Sequence, residues 1–445
     1  MITIAEVDAG WLLDSRATPT IEVTITLTDG SRHRAMAPAG ASTGSHESAE
    51  LRDSGDPRWR GRGVEAAVAA ARAIAGPALA GLAPDDQSAL DARLVEADGT
   101  ARRDRLGANT MVAASVAAAR AGAAVTGREL WQHLGDGRRP RLPVPMVNIL
   151  SGNLHAEGGM GIQDVLVIPA GAASTAEALE WVHDVYHATG DLLRARGASV
   201  LVGDEGGYGA PASSASPSAG PSASGEAIAL VTEAIAATGR RAPDEVGIAL
   251  DVAATHLIRA DGDYDLDGRR YTREGLAGLL ASWVKDFPVL SVEDPFGEDD
   301  WAAWQDFARR CPGVQLVGDD LIATHLDRLR RAARDGAANA VLTKVNQIGT
   351  VTEALRVADE AARLGMRAVI SARSGETEDD WLADLAVASG AGQIKVGSVA
   401  RSERLAKYNR LLRIERSAQA PPYAGLLPFS PSDQGTASRE PGSRS

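Results

Sequence analysis

The sequence predicts an α/β protein in which an N-terminal α+β domain caps a C-terminal (β/α)8 barrel. Three observations predict it. A hairpin followed by alanine-rich helices fills the first third of the chain. A Gly-, Pro- and Arg-rich boundary follows. Beyond it, eight short apolar strands are interspersed with amphipathic helices, the pattern of a closed barrel. At 445 residues the chain can bury both units.

Residues 20–37, "TIEVTITLTDGSRHRAMA", alternate apolar and polar side chains around an Asp-Gly turn and read as a β-hairpin. Two alanine-rich stretches, 63–77 and 107–125, read as helices with Gly and Pro at their ends. "GDGRRPRLPVP" (135–145) marks the boundary, giving domains 1–135 and 136–430. The barrel strands are "VPMVNIL", "DVLVIP", "VGIALDVA", "VLSVEDPF", "VQLVGDDL", "AVLTKVNQI", "RAVISAR" and "QIKVGS". Helices at 298–310, 325–335, 350–364 and 378–389 separate the later ones, so the sheet is expected to be parallel. "PASSASPSAGPSASG" (211–225) reads as a flexible loop, and residues 431–445 as a disordered tail.

Hydrophobic content of 44% and charged content of 24% are those of a globular protein. The net charge of −13 argues against nucleic acid or an anionic membrane as partner, and leaves a small anionic substrate open. One cysteine, Cys311, excludes an internal disulfide and fits a reducing compartment. The N-terminus lacks a signal-peptide pattern and no apolar run spans a bilayer, so a cytoplasmic protein is expected.

In such a barrel the chemistry sits at the C-terminal ends of the strands. Asp251 ends "GIALD", Glu293 ends "LSVE" and Asp319 ends "VQLVGD". Lys344 ends "VLTK", Arg373 and Ser374 end "VISARS", and Lys395 ends "GQIK". A lone Asp after a strand is most simply a helix N-cap, which suits Asp294 and Asp320. Six successive strands delivering ionisable groups to one rim would gather charge for no structural gain. Three neighbouring carboxylates call for a cation, and oxygen-only ligation points to Mg²⁺. A lysine beside positive charge can act as a general base. Lys344 beside Mg²⁺ and Lys395 fits that condition, for removal of a proton next to a carboxylate.

The stretches "DSRATPTIEV", "APAGASTGSHESAELRD", "RLGANTMVAASVAAARA", "VGDEGGYGAP", "SVEDPFGEDDWAAW", "LTKVNQIGT", "SARSGETEDDWLADLAV" and "GQIKVGSVARSERLAKYNRLLRIE" resemble the enolase (phosphopyruvate hydratase) family, over nearly the full chain. The resemblance implies an enolase-type barrel acting as a Mg²⁺-dependent hydro-lyase of glycolysis. Two Mg²⁺ per site are implied, one on Asp251, Glu293 and Asp319 and a second joined by Ser42. Lys344 matches the base at C2, and Glu205 the acid at the C3 hydroxyl. Asp164 stands where the family has a glutamate, His155 matches a residue of a closing loop, and both are placed among the catalytic residues. Lys395 matches the substrate-carboxylate contact, Arg373 and Ser374 the phosphate contacts, and Gln163 a further substrate contact. Glu205 then needs a raised pKa, which charge on Asp164 would provide. A homodimer or higher homo-oligomer is implied, with Glu22 and Arg413 at the positions of an interface pair.

Four departures stand against this pattern. Ala372 replaces a histidine, Asp164 replaces a glutamate, "SGNLHAEGG" adds Glu157 beside His155, and "DSRATPT" replaces "DSRGNPT". The last reads as a local turn adjustment. The first three surround the phosphate and leaving-group side. They leave three readings: dehydration of 2-phosphoglycerate; dehydration of a bulkier analogue, as in the carboxyphosphonoenolpyruvate synthases; or a catalytically weak binding protein.

Overall fold

A computed structural model of the chain describes residues 1–40, 44–156, 159–210 and 222–429. Ser42, Glu157, most of the 211–225 stretch and the 431–445 tail therefore lie outside the described residues. The part of that stretch that is described, from Ser222, is no loop. Ser222 caps the helix Ala223–Ala237, its side chain accepting from Gly225 N–H, so the small polar composition ends in a helix start.

The N-terminal sheet is antiparallel, in the order β1 (Ile4–Leu13), β2 (Pro19–Leu27), β3 (Arg32–Met36). The hairpin of β2 and β3 matches the sequence reading, while β1 adds a strand that reading did not identify. Ile21, Val23, Ile25 and Ala35 put one face of the sheet in the core. The helix Ala108–Thr126 packs on that face and is buried along most of its length. Its alanines allow the close approach. The 63–77 stretch appears as Glu65–Ala70, a π turn Ala71–Ala75, and Gly76–Leu79.

Eight strands close the barrel: β4 (Val144–Ser151), β5 (Asp164–Ile168), β7 (Gly247–Asp251), β10 (Val289–Glu293), β11 (Gln315–Gly318), β12 (Ala340–Thr343), β13 (Arg367–Ser371) and β14 (Gln393–Gly397). The two-residue β6 (Tyr208–Gly209) extends β4, and β8 (Tyr264–Leu266) pairs with β9 (Arg269–Tyr271) outside the barrel. β14 returns to β4 in parallel, with Gln393 opposite Val144. Val144, Met146, Leu166, Val317, Leu342 and Val369 fill the interior. Gln315 and Gln393 exchange side-chain amide hydrogen bonds of 3.0 and 2.9 Å.

The sheet departs from the parallel expectation at one strand. β5 runs antiparallel to both β4 and β7. The connection from β4 to β5 contains no helix, so the chain reverses instead of crossing over. The consequence is functional. The first residue of β5, Asp164, lies opposite Asp251, the last residue of β7, so β5 delivers its N-terminal end to the rim where its neighbours deliver their C-terminal ends.

The cap is fastened to this rim. Ala39 and Gly375 exchange two backbone hydrogen bonds of 2.8 Å. Arg120 of the long cap helix pairs with Asp379 and Asp380 beyond β13.

Candidate active site

Strand register brings the predicted residues together. Glu293 lies opposite Asp251 and Val317, two residues before Asp319, so three adjacent strands end in carboxylates. Lys395 lies opposite Ser371, two residues before Arg373. His155, Gln163, Asp164, Glu205, Asp251, Asp319, Lys344, Arg373, Ser374 and Lys395 line one cavity of about 40 Å³. Glu293 lies behind it, in contact with Lys395.

Two lysines balance the carboxylates. Lys395 Nζ donates to Asp251 Oδ2 at 2.7 Å and Glu293 Oε2 at 2.6 Å. Lys344 Nζ donates to Asp319 Oδ2. Burial works to lower both lysine pKa values, but the neighbouring carboxylates, Asp251 and Glu293 for Lys395 and Asp319 for Lys344, override it and raise them. In the chain itself Asp319, touching Lys344, raises its pKa, and the lowering expected of Lys344 belongs to the Mg²⁺-loaded site. Burial, then charge on Asp251, pushes Glu293 up to about 8.

These observations test the fit of a divalent cation. Asp251, Glu293 and Asp319 are buried, supply only oxygen donors, and gather enough negative charge to disfavour ionisation of the central one. That is a site suited to Mg²⁺. The neighbouring Asp294 serves a structural purpose different from the helix cap expected. It accepts backbone N–H bonds from Asp319 at 3.0 Å and Asp320 at 2.8 Å, fixing the loop that presents Asp319.

The leaving-group side is a second cluster. His155 Nδ1 lies 3.1 Å from Asp164 Oδ2, and His155 Nε2 lies 3.9 Å from Glu205 Oε1. Ser151 and Asn148 donate to the other Asp164 oxygen. Burial opposes the charge on His155, but Asp164 and Glu205 outweigh it and raise its pKa to about 9. Burial raises Asp164 to about 6. Burial would raise Glu205 as well, yet His155, Arg404, Lys395 and Lys344 together hold it below its usual value. This corrects the expected raised pKa of Glu205: the imidazole between the two acids takes the proton. Ala372, where a histidine was expected, is buried in the cavity wall.

Some residues that matter here were not singled out from sequence. Glu47, inside the quoted "GASTGSHESAE" stretch, is buried and pairs with Arg373 through contacts of 2.9 and 3.3 Å. Gln347, in "LTKVNQIGT", donates to Asp319 Oδ1 at 2.8 Å. Their partners are distant in sequence, so only the fold reveals them. Of the residues expected at an oligomer interface, Glu22 lies 3.9 Å from Arg34 of its own chain and Arg413 is exposed.

Residues 4–134 match the family model for the N-terminal domain of enolase, and residues 140–429 the model for its C-terminal TIM barrel domain. The chain belongs to the enolase family. It is 45% identical over 431 residues to the enolase of Kineococcus radiotolerans, covering 96% of this chain and 98% of that one. The chain is accordingly an enolase-type hydro-lyase, or phosphopyruvate hydratase. Two groups at the cavity, His155–Asp164–Glu205 and Asp294–Asp319–Asp320, bring their ligand atoms within 4.8 Å of one another and could hold a metal ion. No helix among the described residues is long and apolar enough to cross a membrane.

Proposed function

We propose that the protein dehydrates 2-phosphoglycerate to phosphoenolpyruvate and water with Mg²⁺ bound. The observation that carries this reading is the convergence of Lys344, Lys395, Asp251 and Asp319 on one cavity, with Glu293 behind it in contact with Lys395 and with Arg373 and Ser374 on its wall. Arg373 and Ser374 bind the phosphate, where a guanidinium fork suits the geometry. Lys395 holds the substrate carboxylate, and Gln163 supports the site through its 3.1 Å bond to Asp251. Asp251, Glu293 and Asp319 hold the ion. Bound there, Mg²⁺ would stabilise negative charge developing on the substrate carboxylate and draw Asp319 away from Lys344.

Lys344 then takes the C2 proton. The C3 hydroxyl leaves as water with a proton supplied from the His155–Glu205 pair, oriented by Asp164. The raised pKa of His155 favours placing that proton on the imidazole at neutral pH, with Glu205 passing it on. Ser42 is proposed to join a second Mg²⁺ when substrate binds. A cytoplasmic homodimer or higher homo-oligomer completes the proposal, with Glu22 and Arg413 at its interface.

Nothing in the cavity favours the bulkier substrate. Ala372 is buried in its wall, and the relative matched over 96% of this chain is named an enolase. The test is an absorbance assay for enolpyruvate formation with 2-phosphoglycerate, with and without Mg²⁺. Efficient, Mg²⁺-dependent turnover is expected. No rate above background would overturn the reading and return attention to a different acid or a binding role.

A further inference from the structure

Beside the catalytic cavity lies a second one of about 300 Å³, built between the chain start and the residues around Glu47. It shares Gly40 and Glu47 with the catalytic cavity as common wall. Arg16, Arg52, Arg62 and Arg102 face it. Four guanidinium groups around one space repel each other unless anions offset them, and this concentration occurs in a chain of net charge −13.

The anions available within the chain are already engaged. Glu50 Oε2 pairs with Arg52 at 2.9 Å, and Arg52 also donates to Pro19 O and Arg62 O. Asp204, next to Glu205, pairs with Arg16 Nε at 3.0 Å. Asp14 Oδ1 accepts the backbone N–H groups of Arg16 and Thr18, both at 2.9 Å. Glu47 is turned to Arg373. The side chains of Arg62 and Arg102 make no hydrogen bond or ion pair with any described residue. Two uncompensated guanidiniums thus face a space large enough for a small phosphorylated molecule, with the remaining edges of Arg16 beside them.

We infer that this cavity is a second anion-binding site, taking a phosphate group or small phosphate ester. It is distinct from the Arg373–Ser374 phosphate contacts and separated from them by Gly40 and Glu47. The ligand chemistry has two sources: the anionic substrate on its way to the catalytic cavity, or a different phosphorylated metabolite that reports through the shared wall. The first rests on the function proposed above; the binding site itself does not.

The test is a titration of the Mg²⁺-loaded full chain with inorganic phosphate, followed by ³¹P NMR or calorimetry. The unaltered protein, Arg373→Ala and the double variant Arg62→Ala/Arg102→Ala are compared. Two classes of phosphate binding are expected in the unaltered protein. Arg373→Ala should weaken one class, and the double variant should weaken the other by about tenfold or more, since charge-assisted contacts are lost. Both substituted arginines of the double variant are exposed, and circular dichroism checks that it folds. Identical titrations for the unaltered protein and the double variant would overturn the inference, whether or not the enzyme turns over 2-phosphoglycerate. Kinetics then identify the source. A fall in kcat/KM at unchanged kcat in the double variant marks the substrate as occupant. Unchanged kcat/KM, with the Arg62/Arg102 phosphate class lost, marks a separate metabolite.

Discussion

His155 Nδ1 lies 3.1 Å from Asp164 Oδ2, a contact made because β5 runs against its neighbours and offers its first residue to the rim. In the proposed mechanism this pair moves the proton-carrying group from glutamate to histidine. The raised His155 pKa means its charged form is fully present below its ordinary value of 6.5 and is lost as pH rises through about 9. Asp164, raised by burial, loses its charge as pH falls through about 6. Turnover should therefore fall on both sides of a window of about 6 to 9. His155→Gln should lower kcat by about 100-fold or more and remove the alkaline limb. A pH profile of kcat for both proteins checks this.

Glu47 pairs with the Arg373 guanidinium at 2.9 Å, and both side chains are buried. Removing it takes a buried carboxylate partner away from that charge. Glu47→Ala should destabilise the fold by about 3 kcal/mol, measured by urea unfolding. KM for 2-phosphoglycerate should change more than kcat, because the arginine it orients is proposed to bind phosphate in ground and transition states alike.

The carboxylate tripod should couple metal to stability. Mg²⁺ at about 100 times its dissociation constant should stabilise the protein by about 2.7 kcal/mol, seen as a rise in Tm. Asp319→Asn should weaken the Mg²⁺ response at least about tenfold. A Tm insensitive to Mg²⁺ and to chelator would contradict the tripod as the metal site.

The turn "DSRATPT" carries a cost that glycine would relieve. Ala17 has φ of 56°, in the left-handed region, where Asp14 accepts from the N–H groups on either side of it. Ala17→Gly should stabilise the protein by about 0.5 to 1 kcal/mol, the strain relieved less the added freedom of the unfolded chain. Thermal denaturation measures it.

Much of this was legible in the letters, and the rest was not for physical reasons. Apolar runs ending in Asp251, Glu293, Lys344 and Lys395 revealed the barrel strands and their rim, because period and turn chemistry are local. The reversal of β5 is a matter of topology, and "DVLVIP" reads the same in either direction. The direction of the Glu205 and Lys344 shifts depended on which charge lies nearest, His155 for one and Asp319 for the other. Those are distances across the barrel. Glu47 and Gln347 stood in recognised stretches, but their partners Arg373 and Asp319 are 326 and 28 positions away.

The central claim is that Lys344 removes the C2 proton of a substrate held at the carboxylate rim. The most direct measurement is exchange of that proton with deuterated solvent, followed by NMR on 2-phosphoglycerate with Mg²⁺ present. Exchange is predicted for the unaltered protein and its loss in Lys344→Ala, with substrate binding largely retained. Exchange that persists in Lys344→Ala would contradict the assignment of the base.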